Sequence, residues 1–221
     1  MKPLRVLVAC EFSGTVRDAF RALGHDAVSC DLLPCEADPA HHIQGDVTAL
    51  MREIYEGRER VDLLIAHPPC TYLTVAGMHW NTRPSHWRGQ PSPERPGMTN
   101  GQVETERALD FFRLFLDAPV PHIAVENPVG VVSSRIRKPD QTVQPWQFGH
   151  RESKSTCLWL KGLPPLVPTD VQTLAPGERW ENQTASGQNR LAPSPDRWKL
   201  RSKTYEGIAR AMARQWSDAL R

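Results

Sequence analysis

Four short runs rich in apolar and β-branched residues, each cut off by polar or turn-forming residues, constrain this chain more than any other feature. They are residues 4–10 (LRVLVAC), 26–30 (DAVSC), 61–66 (VDLLIA) and 122–125 (HIAV). Continuous apolar runs of this length predict strands covered on both faces. Helical spacing separates them: Val16, Ala19, Phe20 and Leu23 recur along residues 15–23, with Gly24 as a C-terminal stop, and a second helix is expected over 47–55. Alternating strands and helices predict an α/β chain with a right-handed, mostly parallel, doubly wound sheet.

The rhythm breaks at 77–101, where 25 residues hold four prolines, four glycines and two tryptophans, so a long active-site loop is expected over 77–103. A helix over 104–116 and a strand over 122–125 follow. Residues 146–160 suit one or two strands, 164–200 read as irregular and proline-rich, and 202–220 as a closing amphipathic helix. The expected organisation is a core over 1–163, a small irregular insertion over 164–200, and a C-terminal helix over 201–221 that packs back on the core.

No stretch approaches the roughly 18 apolar residues that a membrane span needs. The first residues lack a signal peptide's cleavage region. Five cysteines (Cys10, Cys30, Cys35, Cys70, Cys157), an odd count without a CxxC pair, point away from disulfides and structural metal and towards a reducing, cytoplasmic setting. Residues 1–133 carry 12 Lys and Arg against 17 Asp and Glu, net −5, whereas 134–221 carry 15 against 8, net +7. A basic second part fits a polyanion partner as well as a solvated surface.

In open α/β sheets, ligands bind at the carboxyl ends of the strands. The chemically suggestive residues gather there: Glu11 to Gly14 (EFSG) after the first strand, Asp31 after the second, HPPC (67–70) after a later one and ENP (126–128) after the next. Two prolines fix where the Cys70 thiol points. A cysteine facing a strand-end glutamate makes a nucleophile and acid pair suited to attack on a conjugated ring. Cys10, Cys30 and Cys157 lie in apolar runs and read as core residues.

Together, HPPC, ENP, FSG (12–14) and FGHRESKSTCLW (148–159), in the order FSG, HPPC, ENP, FGHRESKSTCLW along the chain, resemble the DNA (cytosine-5) methyltransferases, above all the short phage and prophage forms. The resemblance covers most of the chain except 77–103 and about 164–200. It implies a Rossmann-like fold, S-adenosyl-L-methionine (AdoMet) as cofactor, and double-stranded DNA whose cytosine is flipped into the site, with no metal. On this resemblance Cys70 attacks C6 of the ring, Glu126 holds its N3/N4 edge, and Lys154 supplies a cation. Phe12, Ser13 and Gly14 line the cofactor, with Asp31 at its ribose, Asp46 near its adenine, and Pro68 and Thr204 beside it. Pro69, Asn127, Pro128, Arg83, Arg88 and Thr156 serve the substrate.

The sequence departs from the family at its QxRxR motif, whose polar positions become Glu152, Lys154 and Thr156; a lysine keeps the charge without arginine's two-pronged fork. Thr204 and Tyr205 stand where an Asn-Ser pair is usual. Arg179, Trp180, Arg190, Arg197, Trp198 and Lys199 in the recognition region, and Trp80, His86 and Trp87 in the long loop, offer phosphate contacts and stacking surfaces, or loop packing. Three alternatives stay open: the same chemistry on RNA or a free nucleotide, methylation of an exocyclic amine, and a non-catalytic DNA-binding derivative of the fold.

Overall fold

The structure, a computed structural model, describes residues 2–221. Its seven-stranded sheet starts with β1 (Arg5–Ala9), α1 (Thr15–Arg21) and β2 (Asp26–Asp31), then β3 (His42–Gln44), α2 (Val47–Tyr55) and β4 (Leu63–Ala66). The short α3 (Val75–Met78) and the long α4 (Asn100–Leu116) lead to β5 (His122–Pro128). After α5 (Val132–Arg135) come β6 (Gln141–Val143), β7 (Thr156–Lys161), α6 (Arg197–Ser202) and α7 (Glu206–Ala219). The strand order is β3-β2-β1-β4-β5-β7-β6. β1 to β5 pair in parallel, while β7 runs antiparallel to both neighbours. This is the doubly wound, Rossmann-like sheet expected from the sequence.

Period-two alternation sends successive side chains to opposite faces, so each apolar run feeds two cores. Leu7, Ala9, Leu64, Ala66, Ile123, Val125 and Trp159 pack under α2 and α4 with Met51, Phe112 and Phe115. Val6, Val8, Leu63, Ile65, Ala124 and Leu158 pack under α1 and α7 with Phe20, Met212 and Trp216. Trp159 meets Phe112 edge to face at 5.1 Å, a kind of pair worth ~0.5–1.5 kcal/mol beyond its buried area. The indole N–H of Trp159 donates to the Arg137 carbonyl and that of Trp216 to the Pro164 carbonyl, so neither core tryptophan buries an unmet donor.

Several boundaries differ from those expected, each for a local reason. The helix expected from 104 starts at Asn100, because Thr99 and Gln102 form a reciprocal capping box. Residues 77–101 are a loop with short helical turns up to Gly89 and a Pro91–Thr99 bridge, tied to α4 by the Asn81 amide, which donates to the Thr105 hydroxyl. Residues 146–160 yield one strand, β7, whose edge partner β6 lies earlier than expected. The closing helix is broken at Lys203–Tyr205, where the backbone turns extended between α6 and α7. The Lys154 ammonium donates to the Arg201 and Lys203 carbonyls there, holding the end of α6.

Candidate active site

The chain leaves β1 and β4, neighbours in the sheet, in opposite directions, which opens a crevice at their carboxyl ends. On one side of it, Gly14 adopts φ +75°, where a side chain would be strained and a Cβ would meet the Arg17 guanidinium at 2.6 Å. The residue that holds this turn is Glu11. It is 4% exposed, and its carboxyl oxygens accept from the Val16 and Arg17 amides at 2.6 and 3.2 Å, capping the first turn of α1. Ser13 donates to the same carboxyl. Burial raises the Glu11 carboxyl, against the charge of His67 and the amides. Phe12 is buried, with the Lys199 ammonium 5.6 Å from its ring centre.

Asp31 and Asp46 come together although 15 residues apart, because the Gly45 amide donates to the Asp31 carbonyl at 2.8 Å. Each side chain also makes a local bond. Asp31 accepts from the Leu33 amide, and Asp46 caps α2 through the Thr48 amide. Both raise the thiols below them; burial and these carboxylates push Cys30 up to about 11, and Cys10 higher still. Cys30 and Cys157 are buried, whereas Cys10 is half-buried at the strand tip with φ +59°.

Across the crevice, the Asn127 amide donates to the Pro68 carbonyl at 2.7 Å, pinning the end of β5 to the loop after β4. Pro68 is buried and Pro69 exposed. The Cys70 carbonyl accepts from the Leu73 and Thr74 amides, and Gly130 packs so closely on Leu73 that a Cβ would lie 1.9 Å from its carbonyl oxygen. Arg88 braces this turn, donating to the Thr71 carbonyl and stacking 4.3 Å from the Tyr72 ring centre. Arg83 lies on Trp80, which also meets His86.

Glu126 and Lys154 line one pocket, and the charges of both reach the Cys70 thiol. Burial and the negative charge of Glu126 raise the Cys70 thiol, while Lys154 and Arg201 pull it down. Burial works to raise Glu126 too, but the hydrogen bond and charge of His67, together with Lys154, outweigh it and hold the carboxyl below the ordinary range. Glu126, Lys154, Thr156, Thr204, Tyr205, Ile208 and Met212 enclose a cavity of about 10 Å³, room for one water. Thr204, expected at the cofactor, faces this cavity beside Glu126. Tyr205 donates to Glu152 at 2.5 Å and stands edge-on to His150. Pro128 pairs with Thr156 in the sheet.

Because the Cys70 thiol is raised, it is protonated at neutral pH. Alkylation by iodoacetamide, mapped by mass spectrometry to the Cys70 peptide, is expected to climb steadily from about pH 7 to about pH 9. A rate already flat at neutral pH contradicts the burial argument.

In the segment expected to recognise the target, Trp180 takes the loop-packing alternative. Trp180 is not a free stacking surface: it lies on Trp146, centroids 5.8 Å apart and planes 10° from parallel. Arg179 and Arg190 differ little from the solvent-facing residues around them, and Trp198 is exposed, while Arg197 and Lys199 are half-buried. Three residues of the site carry little signal in the sequence. Glu11 reads as turn punctuation, and His67 is part of HPPC without a role. Arg17, fully buried between Asp18, Ser29 and Cys35, reads as an exposed helical residue.

No helix among the described residues is long and apolar enough to cross a membrane, and no group of three or more His, Cys, Asp or Glu there could hold a metal ion. No family model matches the chain, and no curated protein is similar to it in sequence. Solved structures are similar at low identity. One is a putative DNA modification methyltransferase encoded within an E. coli prophage (14% identity, 76% of this chain and 52% of that one, TM-score 0.45). Another is the Dnmt2 methyltransferase of S. pombe (14%, 74% and 51%, TM-score 0.44), and a third the Entamoeba histolytica methyltransferase EhMeth (12%, 78% and 58%, TM-score 0.41). The chain therefore spans about half the length of the first two. Five parallel strands, with a reversed strand inserted before the last, give the chain a Rossmann-like, doubly wound fold.

Proposed function

We propose that this chain is an AdoMet-dependent methyltransferase acting on C5 of cytosine in DNA. The observation that supports the reading is the Asn127–Pro68 hydrogen bond, which joins two distant loops, so that the charges of Glu126 and Lys154 both reach the Cys70 thiol. The cofactor fits the opposite side of the crevice by its chemistry. Asp31 and Asp46 form an acidic edge suited to ribose hydroxyls, an adenine amine and a net cationic ligand, and the Phe12–Gly14 turn brings backbone close. Bound there, AdoMet supplies an electrophilic methyl group.

The chain's own residues do the rest. Cys70, once deprotonated, adds its sulfur to C6 of a flipped cytosine. Glu126, held as a carboxylate, accepts from the exocyclic amine and stabilises a proton on N3, drawing charge out of the ring as the C6–S bond forms. C5 would then bond the methyl carbon as that carbon's bond to the sulfonium sulfur breaks and a neutral thioether leaves; loss of the C5 proton to water restores the ring and breaks the C6–S bond. Lys154 lowers both Cys70 and Glu126 towards their charged forms, which suits this sequence of steps. Its Nζ is committed to two backbone carbonyls, so its influence is a field rather than a direct clasp.

The test is transfer of labelled methyl from AdoMet to mixed-sequence DNA, digested to nucleosides and read by mass spectrometry. Label in 5-methyldeoxycytidine supports the reading. Label on an exocyclic nitrogen moves the chain to the amino-methyltransferases. Transfer to RNA or nucleotide alone reassigns the substrate, and no transfer to any of them favours a non-catalytic DNA-binding role.

A further inference from the structure

His67 fills the step between β4 and Pro68, and the proposed reaction does not use it. Its side chain is 7% exposed. Nδ1 lies 3.3 Å from Oε2 of Glu126, while Nε2 is buried and meets no hydrogen-bond partner among the described residues. The contact to His67 is the only hydrogen bond to the Glu126 side chain among those residues, because the Lys154 ammonium turns to the Arg201 and Lys203 carbonyls.

The groups that act on this pair come from several elements. Glu126 faces His67 from β5, and Glu11 feels its charge from the turn after β1. Lys154 acts on Glu126 from the approach to β7, and Cys70, under the same Lys154 and Arg201 of α6, completes the set. A carboxylate so enclosed is costly unless a partner donates to it. A carboxylate bonded through one oxygen also has a fixed plane.

We infer that His67 is a positioning residue for the proposed reaction: it donates Nδ1–H to Oε2 of Glu126, keeps that group ionised, and leaves Oε1 for the edge of the target ring. The assignment rests on the proposed function for its catalytic meaning, but the His67–Glu126 coupling itself does not. His67 stands between two acids, Glu11 on the cofactor side of the crevice and Glu126 on the target side, and acts on both.

Two variants separate charge from geometry. His67→Ala removes both, whereas His67→Asn returns an N–H donor to the place of Nδ1 without the ring's charge. Titration of ¹³C-labelled glutamate carboxyls by NMR in the full chain, with Glu126→Gln to assign the resonance, reads the coupling without any turnover. The Glu126 midpoint is expected below the ordinary range in the wild type. In His67→Ala the carboxyl should be about tenfold weaker as an acid, with His67→Asn between. In steady state His67→Ala is expected to lose about 10- to 100-fold in kcat at near-constant KM, with the acid limb of the pH profile moved upward. His67→Asn recovers part of kcat and brings the limb part of the way back.

An unchanged Glu126 midpoint in both variants overturns the assignment, as does a loss confined to KM. If circular dichroism shows that His67→Ala does not fold, His67→Asn carries the decision alone. A wild type that titrates as expected yet transfers no methyl group defeats the proposed function and leaves the coupling standing.

Discussion

Replacing Cys70 with alanine is expected to lower methyl transfer by at least about 10³-fold, because the proposed route loses its only bond-forming group. No other thiol can substitute. Cys30 and Cys157 are buried, Cys10 is raised by burial and by Asp31 and Asp46, and Cys35 lies 3.3 Å from the Arg17 guanidinium. The fold should tolerate the change, since Cys70 orders its turn through its carbonyl, which alanine keeps. An unchanged melting temperature therefore accompanies the loss. The sharper readout is trapping: with 5-fluorocytosine in the DNA, C5 carries no removable proton after methylation, so the C6–S bond cannot break and a covalent complex accumulates. The wild type should show that complex at the Cys70 peptide and Cys70→Ala should show none. Transfer that survives in Cys70→Ala, or methylation without any adduct, rejects cysteine attack on the ring.

What is legible in the sequence, and what is not, follows the range of the interactions involved. Cys70 and Glu126 each end an apolar run, so a short local pattern places both at the carboxyl edge of a parallel sheet before any contact is known. The same logic covers Asp31 and the Phe12–Gly14 turn. Glu11 is hidden because a carboxylate that caps α1 through amides five and six residues on looks, in sequence, like any polar residue in a turn. Arg17 sits at a helical position that ordinarily faces water, and only the strand and loop residues Ser29 and Cys35 enclose it. The Lys154 bonds to Arg201 and Lys203 span 47 and 49 residues, and the break between α6 and α7 depends on them. A pattern read in windows of about 11 to 18 residues has no access to such contacts. The Trp146–Trp180 stack shows the converse: an aromatic residue in a basic, irregular segment reads equally as a base-stacking surface or as loop packing until its neighbour is known.

Replacing Glu126 with glutamine should cost about 10²–10⁴-fold in kcat while moving Cys70 in the opposite direction, towards greater reactivity. The two effects have one electrostatic origin. Glu126 is a negative charge in a mostly enclosed pocket, its side chain 16% exposed, and it raises the neighbouring thiol. Glutamine removes that charge, so iodoacetamide should modify Cys70 several-fold faster near about pH 8 than in the wild type. Yet the amide cannot balance a proton on N3 of the target ring, and C6 stays a poor electrophile. The pH dependence carries its own sign. The carboxyl is held below its ordinary value by His67 and Lys154, so its ionised form persists well into acid. Activity that needs that form falls only as pH drops through the depressed value, and any stability it contributes is lost over the same range. In Glu126→Gln this acid limb should vanish, leaving only the alkaline rise set by Cys70. A variant slower in both alkylation and transfer assigns Glu126 to holding the Cys70 loop; one unchanged in transfer removes it from the reaction. A faster thiol on a slower enzyme is the outcome that only ring activation by Glu126 explains.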